Sequence, residues 1–315
     1  MMATEHRPVM LEEAVAALDP KDGETVVDAT FGGGGHASRI LQKLAPDGRV
    51  VGIDRDPQTV ERASGLLRDR RFELVSGAYD EVLWGMVDED GRVDAILFDL
   101  GLSSFQIDAP QRGFSYVREG PLDMRMDPRS GISAAEFLNT AEAGDLARVL
   151  TDYGDLPRGE ARRVAREAVR RRPLQTTSDL YEAVRAALGW AERGGNPAKR
   201  VFQAVRVRVN DELGGLERAL AATERLLVQG GRLVAITFHS GEDRVVKRFI
   251  SEREGRCVCP PELPVCVCGA NPVFRRGAVR RPSEREVEEN PRSASARLRV
   301  AIRTAEPPEG SGDAS

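Results

Sequence analysis

The chain has 315 residues, of which 30% are charged and 41% hydrophobic, with a formal net charge of −4 at pH 7. That length can bury a full core in one large domain or two smaller ones, and the charge excludes a uniformly basic nucleic-acid binder. No apolar stretch is long enough to span a bilayer, residues 1–10 lack the apolar centre of a signal peptide, and four late Cys do not make a disulfide-stapled secreted protein; the chain reads as soluble and cytoplasmic.

Residues 11–18 have helical spacing and lead into an apolar strand, 25–28. A glycine run, Gly32-Gly33-Gly34-Gly35, then opens a helix over 37–44. Glycines there let a ligand approach the backbone closely. A second strand, 50–54, ends in Asp54, which is placed to accept both hydroxyls of a ribose. A helix over 57–68 starts with Pro57, a tolerated early position. A short strand at 72–75 follows, then an apolar one at 93–99 that ends in Asp99. Strand–helix alternation with short links predicts a doubly wound α/β sheet with helices on both faces.

The alternation stops at about residue 105. A Gly/Pro-rich loop (111–131) and several helical stretches fill the next hundred residues. Alternation resumes with a helix at 216–227, a turn at Gln229-Gly230-Gly231, a strand at 232–237, a helix at 243–254 and a last strand at 295–304. The expected organisation is a discontinuous sheet domain, 1–104 with 216–304, a helical insertion at 105–215, and a disordered Pro/Gly/Ser/acid-rich tail at 305–315.

Several clusters carry chemistry. The glycine loop with Asp54 predicts an adenosine-containing cofactor. Gly32-x-Gly34-x-x-Ala37 also fits a nicotinamide-dinucleotide fingerprint, so spacing alone leaves a dinucleotide and S-adenosylmethionine both open. Asp99 stands at a strand's carboxyl end, where ligands of open parallel sheets bind; a plain turn Asp before Gly101 is the alternative. His239 ends the fifth strand and either handles a proton or is structural, with Ser240 or Asp243 capping the next helix. Arg158, Arg162, Arg163, Arg166, Arg170, Arg171 and Arg172 crowd one helical stretch, and Arg200, Arg206 and Arg208 a second. Arg163, Arg166 and Arg170 share a helical face, an electrostatic footprint for phosphates if it is not merely solvated. Cys257, Cys259, Cys266 and Cys268 could close a structural zinc site, although C-x-C is tighter than the usual C-x-x-C; unligated thiols are the alternative, and no catalytic metal is assigned.

Longer strings then resemble one family. They are His6-Arg7-Pro8-Val9-Met10-Leu11, Asp28 to His36, Ile53-Asp54-Arg55-Asp56-Pro57, Asp99 to Ser104, Arg112-Gly113-Phe114-Ser115, Gly120 to Asp127, Phe202 to Arg206, and Phe238 to Arg244. In that order they resemble the bacterial 16S rRNA (cytosine-N4)-methyltransferases, the MraW methylases, over about residues 6–304. Pro121-Leu122-Asp123-Met124-Arg125-Met126-Asp127 is the most specific string. The resemblance implies a class I, Rossmann-like methyltransferase core, S-adenosyl-L-methionine as donor, and the small ribosomal subunit as partner. The acceptor it implies is the amino group of a cytidine at the P site of the decoding centre. It implies cofactor contacts from Gly34, Gly35, His36, Asp54, Tyr79, Asp99 and Gln106. Tyr79 stands where the family often has Phe, and Gly241 where an apolar residue is common. Asp99 is the catalytic candidate, as hydrogen-bond acceptor for the amino group. Phe105, Phe114 and Tyr116 either stack on an extruded base or pack the insertion. The sequence leaves the oligomeric state open, a homodimer included. A nicotinamide oxidoreductase using His239 and a non-catalytic RNA-binding factor are the rival readings.

Overall fold

The computed structural model describes residues 8–59, 63–189, 196–255 and 272–305. The chain divides into two compact units, Met1–Gly101 with Leu213–Ser315, and Leu102–Glu212.

The first unit is built on a seven-stranded sheet. Its strands are β1 (Thr25–Asp28), β2 (Arg49–Asp54), β3 (Phe72–Ser76), β4 (Val93–Asp99), β5 (Leu227–Thr237), β6 (Phe274–Arg280) and β7 (Arg297–Arg303). The spatial order is β3-β2-β1-β4-β5-β7-β6. Strands β1 to β5 run parallel, while β7 is antiparallel to both β5 and β6. This is a doubly wound, Rossmann-like sheet that carries an antiparallel pair at one edge.

Helices α1 (Leu11–Leu18), α2 (Gly35–Leu41), α3 (Tyr79–Asp88), α10 (Glu212–Leu226) and α11 (Ser240–Arg253) accompany these strands. Side chains of a strand alternate between faces, and both faces here are dry. Val26, Ala95, Leu97 and Val234 pack with Ala14, Val15 and Ile40 of α1 and α2. Val27, Ile96, Phe98 and Leu233 pack on the other side with Leu216, Leu220, Val246 and Phe249 of α10 and α11. Double-sided burial explains why β4 reads as one apolar run.

Some expectations need revision. Residues 63–68 form a 3-10 helix rather than the end of a longer α-helix. The expected turn at 229–231 lies within β5: Val93 pairs with Leu227 but Ala95 with Arg232, so the intervening residues loop out, with Gly230 at φ +80°. Strand β6 was not foreseen, because its Arg-rich sequence on the sheet edge lacks an apolar face.

The second unit is helical: α4 (Ser104–Asp108), α5 (Ala134–Thr140), α6 (Ala143–Gly154), α7 (Arg158–Arg170), α8 (Thr177–Leu188) and α9 (Pro197–Val209). A short α12 (Glu284–Glu289) belongs to the first unit. The loop over residues 111–131 is packed rather than open. Leu122, Met124 and Met126 are buried in this unit's core. Asn210 accepts a 2.7 Å hydrogen bond from the Met126 N–H and donates one of 2.7 Å to the Met124 carbonyl. Met124 is held at φ +57°. A Cβ on Gly120 would stand 1.9 Å from the Pro110 carbonyl oxygen, so two backbones cross where only glycine fits. The most family-specific string thus organises the core of the helical unit.

Among the described residues no helix is long and apolar enough to cross a membrane. The Cys cluster and residues 306–315 lie outside the described residues.

Candidate cofactor-binding site

In a parallel sheet all carboxyl ends share one edge, and the crevice opens where the strand order reverses. Here the reversal falls between β1 and β4. Asp28 ends β1, Asp54 ends β2 and Asp99 ends β4, so strand order brings three acids from distant parts of the chain to that edge.

The loop after β1 ties them together. The Asp28 carboxylate accepts the Thr30 N–H at 3.3 Å, and the Thr30 hydroxyl accepts the Asp99 N–H at 2.6 Å. Asp54 accepts the Gly32 N–H at 2.9 Å and the Asp56 N–H at 2.8 Å, one on each oxygen. Gly32 and Gly34 sit at φ +55° and +74°, the left-handed region that glycine adopts without a Cβ penalty. Gly35 is required for another reason: a Cβ would stand 2.2 Å from Pro8 Cγ. His36 is buried, with Nδ1 3.6 Å from the Asp99 carboxylate. Tyr79 begins α3 and packs edge-on to Phe98, ring centroids 5.7 Å apart.

The electrostatics of the cluster are unusual for carboxylates. Burial pushes Asp28 up to about 7, with the Asp54 charge adding to the effect. Burial also raises Asp54, against the opposing pull of its two backbone N–H donors and Thr59. Asp99 lies well above the ordinary carboxylate range, through burial first and then the charges of Asp28, Glu242 and Glu286. Asp28 Oδ2 and Asp99 Oδ1 are buried without a hydrogen-bond partner among the described residues. Charge repulsion and orphaned acceptors make a place that gains from a cation. A dinucleotide's pyrophosphate would add negative charge here, whereas a sulfonium with an α-ammonium group would relieve it. S-adenosylmethionine therefore fits the residues present.

Asp28 and Thr30 were not anticipated as site residues. Asp28 was legible as an acid closing an apolar strand, but its neighbours are known only from strand order. Gln106, also named from the sequence, lies in the second unit. There Gln106 and Ser103 form a capping box: the Gln106 N–H donates to Ser103 Oγ at 3.3 Å and the Ser103 N–H to Gln106 Oε1 at 3.1 Å.

His239 is the N-cap of α11, in place of the expected Ser240 or Asp243. Its Nδ1 faces the Glu242 N–H at 3.4 Å, and Glu242 accepts the Phe238 N–H at 2.7 Å and the His239 N–H at 3.2 Å. Asp243 instead pairs with Arg299 at 2.7 Å and Arg297 at 3.2 Å on β7. Among the candidate base-stacking rings, Phe114 is buried in the helical unit and Tyr116 stacks on Tyr181 at 6.0 Å, which is packing. Phe105 stays 39% exposed.

The MraW methylase family model matches residues 3–304. The ribosomal RNA small subunit methyltransferase H of Rubrobacter xylanophilus is 74% identical over 307 residues, 98% of this chain and 98% of its own length. The protein of the same name from Heliobacterium modesticaldum is 44% identical over 314 residues, 95% of this chain and 99% of its own. That from Symbiobacterium thermophilum is 45% identical over 320 residues, 96% of this chain and 98% of its own.

Proposed function

Because this chain belongs to the MraW methylase family, we propose that it methylates 16S rRNA in the small ribosomal subunit, at the N4 amino group of a P-site cytidine. The observation that carries the donor side is the cluster of coupled acids at the switch point, which suits a cationic cofactor. When bound, S-adenosylmethionine supplies an electrophilic methyl group on sulfur. Gly34, Gly35 and His36 hold it along the glycine turn. Asp54, held by the Gly32 and Asp56 amides and the Thr59 side chain, keeps acceptor capacity for a ribose hydroxyl. Tyr79, braced by Phe98, takes the adenine face. Gln106 is assigned to the cofactor by the resemblance alone.

The difficulty lies with the nucleophile, whose lone pair is delocalised into the cytosine ring. Asp99 accepts a hydrogen bond from the amino group, which favours a pyramidal nitrogen and stabilises the positive charge that develops on it. On taking the methyl group the nitrogen would have to shed a proton, and Asp99, raised above the ordinary carboxylate range, would be suited to accept it. Alignment of nitrogen, methyl and sulfur supplies most of the remainder.

The test is transfer from labelled S-adenosylmethionine to unmodified small subunits, with the product nucleoside identified by mass spectrometry. N4-methylated cytidine is expected. Another methylated nucleoside, or no transfer despite cofactor binding, would overturn the acceptor assignment.

A further inference from the structure

The Arg-rich stretch of the second unit divides sharply once its partners are known. Arg170 and Arg171 both pair with Glu167. Arg172 donates to the Leu138 carbonyl at 2.8 Å and to that of Ala141. Arg163 approaches the Ala187 carbonyl at 3.4 Å. In the second Arg stretch, Arg200 holds the Gly154 carbonyl at 2.8 Å, Arg206 grips Glu212 in two bonds of 2.7 and 2.8 Å, and Arg208 lies over the Phe137 ring. These arginines are engaged within the unit. The face expected from the sequence, Arg163 with Arg166 and Arg170, is therefore not the one left over.

Arg163 and Arg166 alike make one long Nε bond to a backbone carbonyl, so Arg158, Arg162 and Arg166 are set apart by position. Spaced four apart on α7, they stand on one face and cover about 12 Å of helix. With Arg148 of α6, which is paired with Asp145, they line an open groove of ≈ 660 Å³ between α6 and α7. Arg158 and Arg162 form no ion pair among the described residues, and Arg166 uses only Nε, on the Arg162 carbonyl at 3.3 Å. The α6 wall opposite is low, made partly of Gly144 and Ala147, and Asp152 is its only acid.

We infer that this α6–α7 groove binds the phosphodiester backbone of the RNA substrate, a role that rests on the rRNA reading above. Three guanidinium forks in a row can each donate a bidentate pair to a phosphate. An apolar ligand would gain nothing from them. The backbone contact carries no sequence information and sets register and affinity.

The test measures binding of the full-length protein to unmodified small subunits and to protein-free 16S rRNA across a salt series. Arg158→Gln/Arg162→Gln/Arg166→Gln should raise Kd about tenfold or more and lower the slope of log K against log[salt] by about 2–3 with both ligands. Arg162→Gln alone should lower the slope by just under about 1. Arg170→Gln/Arg171→Gln, which removes charges already paired to Glu167, should leave Kd and slope nearly unchanged. Cofactor affinity should not move in any variant. An unchanged slope in the triple variant, or an equal loss in the paired control, would overturn the groove. So would a loss seen with subunits but not with bare rRNA, which would point to an acidic protein surface instead. Methyl transfer by the unaltered protein is scored in parallel. Its failure would remove the rRNA reading, whereas the salt slopes judge the groove independently.

Discussion

Replacing Asp28 by Asn tests the electrostatic account of the site most directly. Native Asp28 keeps its proton up to about pH 7, whereas the unfolded chain releases it near the ordinary 3.8. Between those values the native state binds more protons, so this residue makes the wild-type protein less stable as pH rises, by about 1.4 kcal/mol per pH unit, levelling off above about 7. The whole step amounts to about 4 kcal/mol. Asn cannot ionise, and its amide oxygen can still accept the Thr30 N–H. The variant should therefore gain about 3 kcal/mol relative to wild type as pH rises from about 5 to about 8, the part of that step lying in this range. Asp54 and Asp99 keep their own contributions, so the variant's curve is shallower rather than flat. Urea midpoints followed by circular dichroism without cofactor, on both proteins across that range, measure the difference. Parallel curves for the two proteins would refute a native Asp28 proton, and with it the charge-frustrated site.

Asp99→Asn should retain cofactor binding within about tenfold yet lose about 10²–10⁴ in methyl-transfer rate; single-turnover transfer read beside cofactor titration separates the two, and equal losses in both would assign Asp99 to the cofactor alone. For wild type, kcat/KM should climb with pH through a value above the ordinary carboxylate range, since Asp99 must be deprotonated to take the proton of the amino group, and that limb should vanish in the Asn variant. Gly120→Ala forces a Cβ to 1.9 Å from the Pro110 carbonyl oxygen and disturbs the 2.9 Å bond from the Thr177 N–H to the Gly120 carbonyl. It should cost about 3 kcal/mol or more and make residues 102–212 protease-sensitive; a wild-type melting curve and digestion pattern would refute the backbone crossing.

The sequence carried whatever depends on one segment and its solvent. Strands β1, β2 and β4 are short apolar runs buried on both faces, and α1 matches its apolar spacing residue for residue. Asp54 and Asp99 were visible as acids ending such runs, and the glycine turn as a place for close approach. Segment-level periodicity failed where burial is not the organising force, as in the Arg-rich edge strand β6. Pairwise questions were beyond it altogether. Asp28 became part of the site because β1 lies between β2 and β4, which places it among other carboxylates in a dry crevice. His239 became a helix cap because its own backbone turns there and Glu242 returns the bond. The arginines looked alike in sequence; Glu167 takes Arg170 and Arg171 at helical spacing, and contacts with distant backbone carbonyls hold Arg172 and Arg200, while Arg158, Arg162 and Arg166 face a groove. Hydrophobic pattern is local and so is written along the chain. The energy of a charge depends on what surrounds it in space, and only the folded arrangement of distant segments sets that.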